Sequence, residues 1–541
     1  VAVVVTIASL LALWSVVTPP LSTVDEPAHF NSVLRLMQGG GWPPPETAPF
    51  VEGTFVALQE AGNPRRGTPA LDELPAPEER SEIVPLDGPG LDGVRATDWM
   101  TQHPPTYYAI VAIALTALGG ETWRWDQLVA GARLISVLFV TAGVVFALSA
   151  IRRVTSSSLA AIIGIAAVLA VPQFFNVLSL VTNDAFAVLV GSAMVYFLSC
   201  AMTASPGSRR QLIFSAGSGL LLGLALLTKG TMLAAAPAVV IGLLVVGFRQ
   251  PSASWPRRLL PATVAATAAV IIGGWWWLRN LLVFGQLQSS RSGSGRTVVP
   301  FDNYDLFDFV RRASTQLVRT FWGSIRHALD FPTVVVLGLT TVFVAGVVLV
   351  LVRSPRRWIV VLLAIAPLLT VALISFHAWE VYWSTGRIVG IQGRYLFPAI
   401  AVYALVAALA WQVLVVPLDR SARALASGLT VVGTLGVAVY GVMFAFQTRW
   451  GSVGWRAMID ASAWPASAVL VLSVGWLAAG AATAGLAAFT AAHASGGVRA
   501  IGTGRETSTD AMASREYRGS PKIDDAHRED VGATNRDTGL T

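Results

Sequence analysis

An acidic hexad, Asp25-Glu26-Pro27-Ala28-His29-Phe30, follows directly on an apolar run over residues 1–20. Two carboxylates and an imidazole therefore stand where a stretch long enough to cross a bilayer ends. Pro27 suits the first helical position, which predicts a helix starting here with Glu26 as its N-cap. A helix N-terminus favours ionised carboxylates. An ionised carboxylate can take a proton from a hydroxyl nucleophile or bind a divalent cation. The plainer alternative is capping of a helix at the membrane interface. His29 is either a working partner of the pair or a structural imidazole.

Similar residue types recur at the ends of later apolar runs. In His103-Pro104-Pro105-Thr106-Tyr107-Tyr108 the prolines fix an extended approach, and the tyrosines suit an aromatic belt at the interface. That reading leaves His103 as the group with chemistry to spare. Asn183-Asp184 lies between two apolar runs, as a turn would, or supplies a second carboxylate across a cavity from Asp25. The cations are Lys229, one of only two lysines, Arg279 with Asn280 after Trp275-Trp276-Trp277, Arg387, and Arg394 before Tyr395. Arg grips phosphate oxygens through two parallel hydrogen bonds, and Lys acts as a point charge. Snorkelling to lipid headgroups is the alternative for each.

The elements that must position these groups are membrane helices. The chain is 54% hydrophobic and 13% charged, against about 25% charged in soluble proteins, and its mean hydropathy is +0.62. The fold expected is all-α and polytopic. Spans are placed near 1–20, 128–151, 158–180, 184–203, 211–228, 232–248, 259–284, 332–352, 358–376, 395–416, 424–446 and 466–491, twelve in all. Residues 1–20 lack a basic n-region and a small-residue cleavage site, so they read as a retained span. Residues 105–119 are too short to span and read as a helix lying on the membrane surface. The transmembrane domain covers 1–492, and residues 493–541 read as a disordered polar tail.

Charge fixes the expected topology. Arg152/Arg153, Arg209/Arg210, Arg249 with Arg257/Arg258, Arg353 with Arg356/Arg357, and Arg420/Arg423 lie in short links whose only acid is Asp419. The positive-inside rule puts those links, and both termini, in the cytoplasm. The polar signatures then share the outer face. The outer loop 21–104 carries 13 acidic residues and five Arg, with Pro and Gly breaking it into short helices and irregular backbone. Loop 285–331 has six Arg against four Asp, a mild violation of the inside rule that asks for a cause. Loop 377–394 is crowded with His377, Trp379, Glu380, Tyr382, Trp383, Arg387 and Arg394. The pI near 9.9 follows from topology and does not call for nucleic acid. The single Cys200 excludes an internal disulfide. The preference for Arg over Lys points to a GC-rich bacterial genome.

Taken in order, the hexad, the His103–Tyr108 motif, Asn183-Asp184, Leu227-Thr228-Lys229-Gly230, Arg279-Asn280 and Gln392-Gly393-Arg394-Tyr395-Leu396-Phe397-Pro398 resemble the GT-C superfamily of integral-membrane glycosyltransferases. That superfamily includes protein O-mannosyltransferases and lipid A aminoarabinose transferases. The resemblance is closest to a branch of bacterial membrane proteins with the same opening, in which Pro27 is a branch feature. It implies a sugar donor on a polyprenyl phosphate, a glycan, lipid or protein acceptor, and inverting transfer at the extracytoplasmic face of the plasma membrane in envelope assembly. Asp25 would be the general base, with Glu26 orienting it and Asp184 as the second-loop acid. Lys229, Arg279 and Arg394 would hold the phosphate leaving group. A divalent metal ion on Asp25, Glu26 and Asp184 is the one cofactor the resemblance leaves open. His29, His103, Asn183, Asn280, Arg387 and Tyr395 complete the expected substrate site. Two other classes compete: a translocator of lipid-linked saccharides without chemistry, and a scaffold of an envelope complex.

Overall fold

Apolar runs in lipid must satisfy every backbone N–H and C=O internally, so they become helices. The computed structural model describes residues 1–493 apart from Val24, Glu46, 63–73, 84–96, Pro251, 289–303 and 327–328; the side chains of 325–329 also stay undescribed. Among the described residues, nine helices are long and apolar enough to cross a membrane. They are Trp125–Thr155, Asn183–Thr203, Gly230–Phe248, Trp255–Phe284, Thr333–Arg353, Arg357–Thr385, Gly393–Val415, Arg420–Trp450 and Ala466–His493. A tenth span is a pair, Ser158–Ala170 and Pro172–Leu178, bent by 76°. Pro172 lacks the N–H that would continue the first helix.

The all-α polytopic fold is as expected, with one short antiparallel strand pair, Ser324–Arg326 and Leu329–Asp330. The count of twelve spans is not reproduced. Arg209–Leu226 opens on Arg209, Arg210 and Gln211, which lower its hydropathy below that of a spanning helix. Ala2–Val17 has 16 residues, roughly 24 Å of helix against a hydrocarbon core of about 30 Å. It packs inside the bundle, with Ile7, Leu10, Leu11 and Trp14 fully buried. The tail expected over 493–541 lies, except for His493, outside the described residues.

Four of the five arginine-bearing links meet at one end of the bundle. Arg153 donates from Nε to Thr203 Oγ1 at 2.8 Å, Gln250 reaches Gln211 at 3.4 Å, and the Arg249 guanidinium lies 4.5 Å from the Trp358 ring centroid. The opposite end carries the loop segments. There the helices Glu26–Met37, Glu52–Glu60 and Thr106–Ala117 pack around Phe30, Val33, Tyr107, Val111 and Leu115. The helix Thr106–Ala117 has 12 residues, about 18 Å long and too short to span. A buried polar network ties the first loop together. Asn31 and Ser32 donate to Asp98 at 2.7 and 2.8 Å, and Val51 N–H donates to Asn31 at 2.7 Å. Buried polar groups paired in this way hold irregular backbone in one shape.

Two loops carry more helix than expected. The segment 377–385 continues the helix Arg357–Thr385, so His377, Trp379, Glu380 and Tyr382 are helical. No proline or glycine interrupts the run from Leu368 to Thr385, so nothing ends the helix before Gly386 adopts φ 66°. Within 285–331 stands the amphipathic helix Leu306–Trp322. Asp305 caps its N-terminus through Phe307 N–H at 2.8 Å, and Phe309, Ala313 and Trp322 face inward.

Candidate active site

The helix after Ala2–Val17 begins one residue earlier than Pro27 suggested. Asp25, not Glu26, is the N-cap residue, and its side chain does not cap. It reaches away to Arg394, with which it forms an ion pair. Glu26 points the other way. Arg133, from the helix Trp125–Thr155, donates to both Glu26 oxygens at 2.7 Å. The same carboxylate accepts the N–H groups of Leu21 at 3.0 Å and Val181 at 3.2 Å. Glu26 is 1% exposed, and these bonds join the turn after the first helix to the turn before Asn183. Adjacent carboxylates thus have separate work, because alternate residues at a helix start project to different sides.

The second turn is built in the same way. Thr182 caps the helix Asn183–Thr203 by accepting Asp184 N–H at 3.2 Å, and its own N–H donates to Tyr107 at 2.9 Å. Asp184 therefore sits in the first turn of a long helix, where the dipole favours its charge. Lys229 donates to Asp184 Oδ1 at 2.7 Å. Arg394 Nε lies 3.9 Å from Asp184 Oδ2. Tyr395 is flanked by both cations, with Lys229 Nζ 4.7 Å and the Arg394 guanidinium 5.6 Å from its ring centroid. The result is a continuous chain of alternating charge, Asp25–Arg394–Asp184–Lys229. Arg394 is seated by close packing on both sides. A Cβ on Gly393 would collide with the Phe321 backbone, and one on Gly191 with the Pro398 carbonyl.

The two histidines border this chain. His29 Nδ1 is 2.9 Å from Tyr108 Oη, and the rings stack. Burial pushes the His29 imidazole down to about 4 and that of His103 to about 3, the carboxylates of Asp25 and Asp184 opposing the shift. Both rings are thus neutral near pH 7. Burial alone would raise the Asp25 carboxyl, but the Arg394 charge beside it outweighs that and holds it below the usual carboxylate range. Asp25 is ionised, with its side chain 20% exposed. No described residue donates to its Oδ1.

Several buried polar atoms here lack a hydrogen-bond partner among the described residues: both side-chain ends of Asn183, His103 Nδ1, Arg394 Nε and Thr231 Oγ1. Each such group costs about 1–3 kcal/mol unless something fills it. Thr231 and Tyr395 also head a narrow apolar groove that runs down between helices, past Met232, Gly191, Met194 and Leu363.

The structure brings together Asp25, His29, His103, Asn183, Asp184, Lys229, Arg394 and Tyr395. It does not join Glu26, Arg279, Asn280 or Arg387 to them. Arg279 lies against Trp276 and Phe284 and donates to Asn280, which in turn donates to Leu287 O. Arg387 is exposed. The tyrosines of the His103–Tyr108 motif are not belt anchors. Both are fully buried, and they hold Thr182 and His29. The three carboxylates do not make a metal donor set: Glu26 is saturated by Arg133, and Asp25 and Asp184 are each ion-paired. No three His, Cys, Asp or Glu residues converge among the described residues.

This is a polytopic α-helical membrane protein with an ion-paired polar centre at one end of its bundle. The chain belongs to the family described as "Predicted membrane protein (DUF2142)", whose model matches residues 9–403. No curated protein matches it. Among solved structures it is similar to ArnT from Cupriavidus metallidurans bound to undecaprenyl phosphate, at 17% identity and a TM-score of 0.47, covering 90% of this chain and 77% of that one. It is also similar to the oligosaccharyltransferase AglB from Archaeoglobus fulgidus in complex with an inhibitory peptide and a dolichol-phosphate, at 14% identity and a TM-score of 0.42, covering 85% of this chain and 55% of that one.

Proposed function

We propose that this protein is an inverting glycosyltransferase that takes its sugar from a polyprenyl phosphate and works at the extracytoplasmic face of the membrane. One observation carries the reading: the Asp25–Arg394–Asp184–Lys229 chain stands at the head of an apolar groove, with Tyr395 belonging to both. A lipid phosphate needs cations at its headgroup and an apolar channel for its tail, side by side. The arginine links at the far end of the bundle support the outward assignment of this centre.

The residues divide the reaction as follows. Asp25 Oδ1 accepts the proton of an acceptor hydroxyl. The hydroxyl oxygen attacks the anomeric carbon. The bond from that carbon to the phosphate oxygen breaks, and its electron pair leaves with the lipid phosphate. Arg394 and Lys229 hold the phosphate and stabilise the charge that develops on it. Asp184 orients both cations before the donor arrives. Asn183 and His103 offer the unpartnered polar atoms that sugar hydroxyls would satisfy. Glu26 positions and does not react.

The test is to incubate the purified full chain with a panel of polyprenyl-phosphate sugars and a mixture of envelope lipids and glycans. Transfer of one sugar with release of polyprenyl phosphate is the expected result. Donor binding without release, together with carrier movement across a vesicle bilayer, would instead identify a translocator.

A further inference from the structure

The excess of arginine in loop 285–331 is left unexplained by the centre just described. Three of these residues, Arg311, Arg312 and Arg319, line an open pocket with about 840 Å³ of empty space on the helix Leu306–Trp322. Thr315, Gln316, Thr320 and Ser324 supply a polar floor, and Asp330 closes one edge. The cations are only partly neutralised. Arg311 and Arg312 share the single carboxylate Asp308, at 2.6 and 3.3 Å. Arg319 is 3.4 Å from Asp330 and also donates to Thr333 at 2.7 Å. Three guanidinium groups thus face two carboxylates. The Thr315 and Thr320 hydroxyls donate to carbonyls of their own helix, Arg311 O at 2.7 Å and Gln316 O at 2.6 Å, so the guanidinium N–H groups are the donors offered to an oxyanion.

The pocket floor also bonds the backbone segment that leads into Arg394. Gln316 donates to Ile391 O at 3.0 Å, and Gly393 N–H donates to Thr320 at 2.8 Å. Gly393 precedes Arg394. We propose that this pocket binds a phosphate-class oxyanion, carried either by a membrane lipid headgroup or by a water-soluble molecule. Planar guanidinium groups match that anion's geometry in a way that lysines would not. The site is separate from the Asp25–Lys229 chain and does not depend on the transferase reading.

Residue-resolved arginine modification tests this. The full chain in zwitterionic-lipid nanodiscs is treated with phenylglyoxal at matched ionic strength, and each arginine is followed by mass spectrometry. One arm adds millimolar inorganic phosphate, and another replaces part of the lipid with phosphatidylglycerol. Modification of Arg311, Arg312 and Arg319 should slow several-fold in at least one arm, while exposed Arg387 is unaffected. Protection by phosphate assigns a soluble ligand, and protection by phosphatidylglycerol assigns a headgroup. In Arg312→Gln the protection of Arg311 and Arg319 should weaken; Arg311→Gln serves equally if that variant folds poorly. Equal rates in every arm, or equal slowing at Arg387, would overturn the proposal.

Discussion

Arg133 and Glu26 form a two-pronged ion pair in which both N···O distances are 2.7 Å. The remaining Arg133 donors go to the carbonyls of Ser15, Thr18 and Pro19, at 2.6, 2.7 and 3.0 Å. All five guanidinium donors are therefore engaged within the chain. The pair fixes the turn that presents Asp25 and, through Val181, the turn that presents Asp184. Leu21, whose N–H also meets Glu26, adopts φ 54°, a conformation that a branched side chain takes only when its surroundings enforce it.

Glu26→Gln should therefore act on stability before chemistry. It removes one partner of a fully buried pair and leaves the Arg133 charge uncompensated, at a cost of about 3–5 kcal/mol. Thermal unfolding of purified protein should show a large drop in midpoint, with residual turnover tracking the folded fraction. A variant that folds as well as wild type yet loses turnover would return Glu26 to the reaction.

Arg394→Lys keeps the charge and removes the planar fork. A lost charge-assisted hydrogen bond is worth about 1.5–3 kcal/mol, or roughly a ten- to hundredfold change. Turnover and donor affinity should fall by that order, with alanine worse and acceptor affinity little changed. Arg387→Lys, at an exposed position outside the cluster, should be neutral. Equal activity of Arg394→Lys and wild type would mean that a point charge suffices and that headgroup contact explains the residue.

The histidines predict a pH dependence of stability. The native state resists protonating His29 and His103, whereas the unfolded chain takes up those protons near 6.5. Stability is therefore lost as pH falls from about 6.5 towards about 4 for His29 and about 3 for His103. For His29 the full loss is on the order of 3 kcal/mol. Arg394 holds the Asp25 carboxyl below the usual carboxylate range, so Asp25 stays ionised through the window from pH 6.5 to 4.5. His29→Gln should flatten part of the midpoint-versus-pH curve there. An unchanged slope would show that the ring is accessible to protons in the native state.

The arginine links also predict sidedness. On a Cys200→Ser background, Thr47→Cys should react with an impermeant maleimide in intact cells. Ser205→Cys should react only after permeabilisation. The reversed pattern would put the ion-paired centre in the cytoplasm.

Helical class and the cast of the site were legible because burial in lipid writes long apolar runs, and ionisable groups at their ends stand out. Asp25, Asp184, Lys229 and Arg394 were found that way. What chain order could not supply was direction. Asp25 and Glu26 look equivalent in sequence, yet a one-residue difference in helix start sends one to Arg394 and the other to Arg133. Arg133 itself lies inside an apolar run, where an unpaired cation is costly; that intramembrane charge was the signal available for finding it. The helix Leu306–Trp322 was hidden by its charge, since Phe309 and Ala313 repeat at helical spacing between arginines and polar residues. The tyrosines of the His103 motif read as interface anchors because composition cannot tell a belt residue from a buried hydroxyl that holds a turn.

Single-turnover transfer by Asp25→Asn tests whether Asp25 takes a proton during sugar transfer. The asparagine keeps the side-chain shape and removes the proton acceptor. Once the panel assay has identified the donor, its binding to the variant and the rate of polyprenyl phosphate release should be measured together. A well-placed general base contributes about 10²–10⁴-fold. A loss of that size is expected, with near-normal donor binding and a modest fall in thermal midpoint, because the partly exposed Asp25–Arg394 ion pair is lost. Transfer at the wild-type rate by a folded Asp25→Asn protein would contradict that role for Asp25.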